Sequence, residues 1–189
     1  GLPILASRPL VAKIEITTRC NLQCVMCSLL SGERERADLS YENFLKLKPL
    51  FPYLLSVYLY GVGEPLLHPH FNTMARELFH HGVNVGVITN RLLMTEAHID
   101  EWVDQGMYKA SVSIDGAIQN TYEKIRRGGN FAQLLHNIEY LVSRKKENAT
   151  ALPHLTFNFI AMKDTINELP LLLDLAGRYG VKEVIDRKS

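Results

Sequence analysis

Short runs of β-branched and aromatic residues alternate with helical stretches along most of this chain, and this alternation constrains the fold more than any other feature. The pattern predicts strands over 13–17, 56–60, 83–89, 108–114, 155–162 and 181–185, and helices over 40–50, 70–81, 95–105, 131–145 and 166–179. Six strands that alternate with helices pair in parallel through right-handed crossovers. The chain is therefore expected to form either a doubly wound sheet or a barrel.

The segments with unusual chemistry follow the ends of predicted strands. These segments are 20–27, 61–65, 89–90 and 115–116. In parallel α/β folds of both kinds, ligands bind at the carboxyl-terminal edge of the sheet. We therefore expect these four segments to lie at the ligand-binding edge.

Composition narrows the class of protein. With 189 residues, 47% of them hydrophobic and 22% charged, the chain is long enough for a single domain with a well-packed core. Its net charge of +1 comes from 21 basic and 20 acidic residues mixed along the chain, which argues against a nucleic-acid partner. No apolar stretch approaches the roughly 20 residues that span a bilayer, and the first residues lack a signal-peptide pattern. We expect a cytoplasmic protein with no membrane span.

Cys20, Cys24 and Cys27 are the only cysteines, and their spacing is CxxxCxxC. Three neighbouring cysteines cannot all pair with one another, which argues against a disulfide framework. A structural zinc site would need a fourth ligand, and no Cys or His stands at a zinc-finger distance on either side. Three thiolates from one loop can instead hold an iron–sulfur cubane and leave one iron open. The polar residues between the cysteines argue against simple core packing.

The segment ITTRCNLQCVMC, residues 16–27, resembles the cluster-binding loop of the radical S-adenosylmethionine (SAM) superfamily. The resemblance covers nearly the whole chain and is greatest to the peptide-modifying and molybdopterin-biosynthesis (SPASM-type) group. It implies that the three cysteines bind a [4Fe–4S] cluster and that the amino and carboxylate groups of SAM chelate its fourth iron. It also implies that Met26 lies near the adenine.

The glycine-rich segment GVGEP follows the second predicted strand and resembles the GGEP motif of the same superfamily, which hydrogen-bonds the SAM amino group. Glycine permits close approach of the backbone to a ligand. The resemblance assigns Gly61, Val62, Gly63 and Glu64 to the SAM site. Val62 stands where glycine is commoner, and we expect this difference to be tolerated because backbone groups make much of the contact.

Polar residues alternate at the end of the fourth predicted strand, where Ser111, Ser113 and Asp115 share one face. Buried hydroxyls and carboxylates need hydrogen-bond partners, and a polar ligand would supply them. The segment resembles an SxDG signature in which the serine and a later arginine contact the SAM carboxylate or ribose. Ser113 and Arg126 match this pattern, and Arg127 is the alternative to Arg126.

Two further strand ends resemble parts of the SAM site. Thr89 and Asn90 end the third predicted strand where relatives read TNG, and here Arg91 replaces the glycine. Because asparagine tolerates left-handed geometry, we expect Asn90 to preserve the turn. The segment 157–162 resembles the fifth strand, whose end lies by the adenine. Met162 is therefore a candidate contact, with ordinary core packing as the alternative.

The resemblance implies a partial (β/α)6 TIM-like barrel of parallel strands with outer helices. It further implies that residues 1–189 are a radical SAM core domain, truncated after the sixth strand, because enzymes of the most similar group usually continue into a cysteine-rich C-terminal domain. We expect either that the chain is a fragment of a longer enzyme or that a partner supplies the missing wall. Reductive cleavage of SAM would give a 5′-deoxyadenosyl radical that abstracts hydrogen from a substrate, such as a peptide or a cofactor precursor. Flavodoxin or ferredoxin would be the electron donor.

Other classes of protein stay open. A non-catalytic electron-transfer protein would bind the cluster but would have no use for the GVGE segment, Ser113 or Arg126. A scaffold protein would need no intact cysteines. A methylthiolation or methylation enzyme is a third alternative, although such enzymes usually carry additional domains. Neither the substrate nor a catalytic acid or base follows from these residues.

Overall fold

The computed structural model describes residues 8–32 and 35–186, and its centre is one sheet of six parallel strands. The strands are β1 (Val11–Ile14), β2 (Ser56–Leu59), β3 (Asn84–Thr89), β4 (Lys109–Ser113), β5 (His154–Phe159) and β6 (Val184–Asp186). They lie in the order of the chain, and each pairs with the next. A doubly wound sheet would reverse its strand order at a switch point. The expected partial (β/α)6 barrel is confirmed.

Six α-helices accompany these strands in the described part of the chain. They are α1 (Tyr41–Leu45), α2 (Phe71–His80), α3 (Glu96–Asp104), α4 (Gln119–Ile125), α5 (Phe131–Glu147) and α6 (Leu169–Arg178). The side chains of Ser40, Thr95 and Asn130 each accept a backbone N–H in the first turn of the helix that they precede. None of these helices has both the length and the apolar composition needed to cross a bilayer.

The two faces of the sheet differ in chemistry. On β5, Leu155, Phe157 and Phe159 pack into the hydrophobic core that the outer helices cover. Thr156 and Asn158 alternate with them and therefore point to the other, concave face. On β4, Ala110 and Val112 likewise pack into the core, and Ser111 and Ser113 point to the concave face. This part of the sheet therefore has an apolar outer layer and polar interior positions, which suit a polar ligand.

Three helical segments of the structure differ from the predicted ones. The predicted helix 40–50 is α1 followed by a 3-10 helix, Lys48–Tyr53. Pro49 cannot extend α1, because a proline ring inside a helix clashes with the carbonyl four residues earlier. The predicted helix 166–179 likewise begins as a 3-10 turn, Ile166–Glu168. Helix α4 was not predicted at all.

Candidate functional site

The segments that follow the first four strands meet around a cavity of about 440 Å3. The cavity lies at the carboxyl-terminal edge of the sheet, as expected. Its wall includes Cys20, Cys24, Met26, Cys27, Gly61, Val62, Gly63, Glu64, Asn90, Ser113 and Arg126, together with Leu22, Ser28, Ile88, Thr89 and Ile160. Every candidate site residue named from the sequence except Met162 therefore lies on one cavity.

Backbone hydrogen bonds hold the cysteine loop, residues 20–27, in place. The N–H groups of Gln23 and Val25 donate to the carbonyl oxygens of Arg127 and Ile125, both at 2.9 Å. The loop after β1 is thus fixed to the end of α4, far later in the chain. Because the bonds run from the backbone, they constrain the path of the loop whatever its side chains contact.

The entry to the cysteine loop is fixed by Asp38. Thr17 Oγ1 donates to Asp38 Oδ1 at 2.6 Å, and Arg19 Nε donates to the same oxygen at 3.0 Å. Burial raises the pKa of Asp38, but the hydrogen bonds from Thr17 and Arg19 outweigh it and hold the pKa below its ordinary value. Since Cys20 follows Arg19 directly, this arrangement fixes the first thiol.

The three thiols suit a cluster better than a single ion. Cys24 is buried, whereas Cys20 and Cys27 are half-buried. Burial raises the pKa of Cys20, and it raises the pKa of Cys24 to about 11 against the opposing charge of Arg126. In residues 8–32 and 35–186, no three His, Cys, Asp or Glu groups could hold one metal ion. A cluster binds its thiolates through separate irons, so three thiols on one cavity wall fit it.

The loop after β2 lies against the end of β1. A Cβ atom at Gly63 would collide with the carbonyl oxygens of Thr17 and Arg19, so only glycine allows this approach. The N–H of Glu64 donates to the carbonyl oxygen of Arg19 at 2.8 Å. The glycine-rich segment and the cysteine loop are thereby held side by side.

The position of Val62 is fixed through its backbone. Its N–H donates to Glu15 Oε1 at 2.6 Å. A Cβ atom at the neighbouring Gly61 would overlap the Glu15 carboxylate. A side chain at 61 would therefore displace the Glu15 side chain, whereas position 62 contributes a backbone donor that any residue except proline supplies.

The carboxylate of Glu64 joins the ends of β2 and β3. Only 3% of Glu64 is exposed. Thr89 Oγ1 donates to Oε1 at 2.7 Å, the Asn90 N–H donates to Oε2 at 2.7 Å, and the Leu66 N–H donates to Oε1 at 3.3 Å. Burial raises the pKa of Glu64, although these three hydrogen bonds oppose the increase. Asn90 also donates through Nδ2 to Asn21 Oδ1 at 2.8 Å, which reaches the cysteine loop.

The left-handed residue after β3 is Arg91, with φ of 60°. The expectation that Asn90 would take this conformation was wrong. A residue with a Cβ atom adopts it at a cost of about 1–2 kcal/mol. The side chain of Arg91 is fully buried. The backbone N–H of Arg91 donates to Thr89 Oγ1 at 2.9 Å.

Arg126, and not Arg127, lies on the cavity. Its Nη2 forms an ion pair with the fully buried Asp115 at 2.6 Å, and its Nη1 lies 3.8 Å from Cys24 Sγ. The Nε atom is buried and has no hydrogen-bond partner in the described residues. Arg127 is exposed. The structure therefore brings a fixed guanidinium with a spare donor to the cysteine loop.

A second cavity of about 200 Å3 adjoins the first and shares Ser113 and Arg126 with it. It adds Tyr60, Asp115 and Asn158 to the wall. Both amide atoms of Asn158 are buried without a hydrogen-bond partner in the described residues. Sequence reasoning missed Asn158, although strand alternation could have placed it beside Ser113 on the polar face.

The two methionine candidates differ in position. Met26 lies on the cavity wall. Met162 lies beyond the end of β5, where its N–H donates to Thr165 Oγ1 at 3.1 Å, and it lines neither cavity. Ile160 lines both cavities instead. A contact between Met162 and the adenine stays a prediction.

Comparison with known proteins agrees with this arrangement. A family model described as "Radical SAM superfamily" matches residues 14–176. The "Tungsten-containing aldehyde ferredoxin oxidoreductase cofactor-modifying protein" of Pyrococcus furiosus is 31% identical over 176 residues, covering 91% of this chain and 49% of that protein. A "Probable GTP 3',8-cyclase" of Methanococcus maripaludis is 27% identical over 171 residues, covering 89% of this chain and 55% of that protein.

The fold also matches solved structures. Streptococcus suis SuiB bound to S-adenosylmethionine superposes with a TM-score of 0.78 at 17% identity, over 97% of this chain and 42% of that one. SuiB bound to its precursor peptide SuiA superposes with a TM-score of 0.74 at 16% identity, over 94% and 39% of the two chains. This chain spans about half the length of the curated relatives given above.

Proposed function

This chain belongs to the radical SAM superfamily, whose members are enzymes that use SAM and an iron–sulfur cluster, and on that premise we propose that it is a SAM-cleaving core. The cavity would hold a [4Fe–4S] cluster on Cys20, Cys24 and Cys27 and SAM against the 61–64 segment. One observation carries the proposal, namely that the three thiols and this segment line a single cavity. When bound, the cluster and SAM supply a 5′-deoxyadenosyl radical that abstracts hydrogen from a substrate.

The cysteine loop would hold the cluster, and contacts with the rest of the protein constrain its path. Asp38 fixes the entry to the loop, and the backbone bonds from Gln23 and Val25 fix its middle to the end of α4. Because thiols bind metal as thiolates, Cys20, Cys24 and Cys27 release protons on loading. Arg126 stands beside Cys24 and stabilises its negative charge.

Arg126 is proposed to bind the SAM carboxylate. The ion pair with Asp115 orients its guanidinium, and the unpartnered Nε offers a further charged donor. Ser113, like Arg126, lines both cavities and would donate to the carboxylate or the ribose. The buried amide of Asn158 could make further hydrogen bonds to a polar ligand, because its donor and acceptor are both unused.

The ends of β2 and β3 are proposed to bind the rest of SAM. The backbone of 61–64 would accept hydrogen bonds from the amino group, because glycines allow a close approach there. Glu64 orients Asn90 by accepting its backbone N–H, so that both residues face the cavity. Met26 and Met162 are the candidates for contact with the adenine.

The substrate is proposed to be a peptide or a cofactor precursor. The Pyrococcus relative is named as modifying a cofactor, the Methanococcus relative as cyclising GTP, and SuiB was solved with a precursor peptide. The polar concave face, with Tyr60 and Asn158 in the second cavity, would receive the reacting group. A flavodoxin or ferredoxin would deliver the electron.

The test is anaerobic reconstitution with iron and sulfide, followed by dithionite and SAM, with chromatographic detection of 5′-deoxyadenosine. We expect 5′-deoxyadenosine from the wild-type protein and none from Cys24→Ala. Circular dichroism of the variant would establish that its fold is retained. A cluster that assembles while SAM stays intact would contradict the proposal and favour an electron-transfer or cluster-carrying role.

A further inference from the structure

Arg91 and Asn137 exchange two hydrogen bonds inside the protein, between the end of β3 and helix α5. Nη2 of Arg91 donates to the carbonyl oxygen of Asn137 at 3.0 Å, and Nδ2 of Asn137 donates to the carbonyl oxygen of Arg91 at 2.6 Å. Arg91 is fully buried and Asn137 is 3% exposed. We call this reciprocal pair the 91–137 clasp.

The charge of Arg91 is not neutralised by an acid. No carboxylate in the described residues forms an ion pair with it, and its Nε and Nη1 have no hydrogen-bond partner there. Burial lowers the pKa of Arg91 to about 9, and burial together with the Arg91 charge lowers the pKa of Lys145. A buried unpaired cation and a left-handed backbone both disfavour the folded state. Stability alone therefore does not explain an arginine here.

The residue before Arg91 connects the clasp to the cavity. Asn90 donates its backbone N–H to Glu64 Oε2 and its side-chain Nδ2 to Asn21 Oδ1. Any displacement of the Arg91 backbone moves Asn90 relative to both partners. The clasp therefore links α5 to the glycine-rich segment and to the cysteine loop.

We propose that Arg91 is a positioning residue, which uses the clasp to hold Asn90 and Glu64 in the geometry required for binding SAM. The inference rests on the proposed function for the identity of the ligand. A glycine at position 91 would adopt the same left-handed backbone without strain and would keep the carbonyl oxygen that accepts from Asn137 Nδ2, but it would lack the donor that binds the Asn137 carbonyl oxygen. The clasp replaces the flexibility of a glycine with a fixed connection to a long helix.

Arg91→Gly separates this role from a merely structural one. The substitution relieves the backbone strain and removes the unpaired buried charge, and both effects oppose the cost of the void that the fully buried side chain leaves, so the melting temperature should change little. It also removes the Nη2 half of the clasp, so amide exchange at Asn90 should become about tenfold faster. The dissociation constant of SAM, measured by calorimetry on the reconstituted protein, should rise by about tenfold, the loss expected for a hydrogen bond to a charged group.

Asn137→Leu tests the other half of the clasp, because it replaces the Nδ2 donor with an apolar side chain of similar size at the same buried position. We expect faster exchange at Asn90 in this variant too, and no further increase in Arg91→Gly/Asn137→Leu. Ser143→Ala, on the exposed side of α5, is the matched control. Unchanged exchange at Asn90 and unchanged SAM affinity in both Arg91→Gly and Asn137→Leu would overturn the inference. If the wild type binds no SAM, the proposed function fails, while the exchange rates still decide whether the clasp orders Asn90.

Discussion

The side-chain amide of Asn90 donates a hydrogen bond to Oδ1 of Asn21 across 2.8 Å, which joins the end of β3 to the cysteine loop. The two residues come from different β/α units, and neither is itself one of the proposed cluster ligands. The relative position of the proposed cluster and SAM sites depends on such contacts between loops.

Asn21→Ala should weaken SAM binding without abolishing cluster assembly. Loss of one hydrogen bond is worth about 1 kcal/mol, so the SAM dissociation constant should rise by about fivefold. Calorimetric titration of the reconstituted protein measures this value, and iron analysis measures cluster content. Asn148→Ala at the exposed end of α5 is the control. Equal affinities for the wild type and Asn21→Ala would show that the Asn21–Asn90 contact is dispensable.

Glu64→Gln should destabilise the protein by about 1–3 kcal/mol, the cost of an unsatisfied buried polar group. The Glu64 carboxylate accepts three hydrogen bonds. In glutamine one of the two carboxylate oxygens becomes an NH2 group, which cannot accept and would face the N–H or O–H that donates there. Urea unfolding measures the change in the free energy of unfolding. Glu42→Gln, on the exposed side of α1, should leave the free energy of unfolding unchanged. An equal free energy of unfolding for Glu64→Gln and Glu42→Gln would contradict the role given to the three hydrogen bonds of Glu64.

Gly63→Ala should impair both iron loading and SAM binding, because the added methyl group meets the carbonyl oxygens of Thr17 and Arg19. These are backbone atoms of the segment that leads directly into the cysteine loop, so that segment has to move. Gly177→Ala is the matched control, since its Cβ meets nothing within 4 Å and it lies in α6. That control should stabilise the protein by about 0.5–1 kcal/mol. Normal iron content in Gly63→Ala would argue against the close approach.

The stabilising effect of Asp38 should depend on pH. The pKa of Asp38 is lower in the folded state than in the unfolded chain, so its contribution is complete above the unfolded value of about 3.9 and is lost as the pH falls through the folded value. Because Arg19 is 43% exposed, we expect no more than about 1 kcal/mol. Thermal unfolding of the wild type and Asp38→Asn, with the exposed Asp104→Asn as control, should show a difference that shrinks below about pH 4. A constant difference would contradict the role of the ionised carboxylate.

The sequence was informative wherever the relevant signal is local. The alternation of strands with helices along the chain predicted the parallel sheet, and the spacing of Cys20, Cys24 and Cys27 predicted one loop with three thiols. Helix α4 was missed because it is short and is preceded by Ile118, whose side chain cannot cap the helix. The early end of α1 could have been predicted from the sequence, because Pro49 prevents the helix from continuing.

Long-range pairs account for most of what the sequence did not predict. Nothing in the sequence around Arg91 or Asn137 indicates that these residues contact each other in the 91–137 clasp. The ion pair between Asp115 and Arg126 could not be predicted from the sequence for the same reason. The left-handed conformation was assigned to Asn90 from its intrinsic preference, whereas tertiary contacts place Arg91 there. Propensity is a weak guide when buried hydrogen bonds compensate for strain.

The backbone bonds from Gln23 and Val25 to the end of α4 have a consequence for the order of folding. Closing so long a loop is entropically costly, and such non-local contacts form late. The cysteines should therefore reach their final arrangement only after four strands have assembled. Until then the three thiols lie on a segment that lacks these contacts, so they should be more accessible to oxidants during synthesis than in the folded protein.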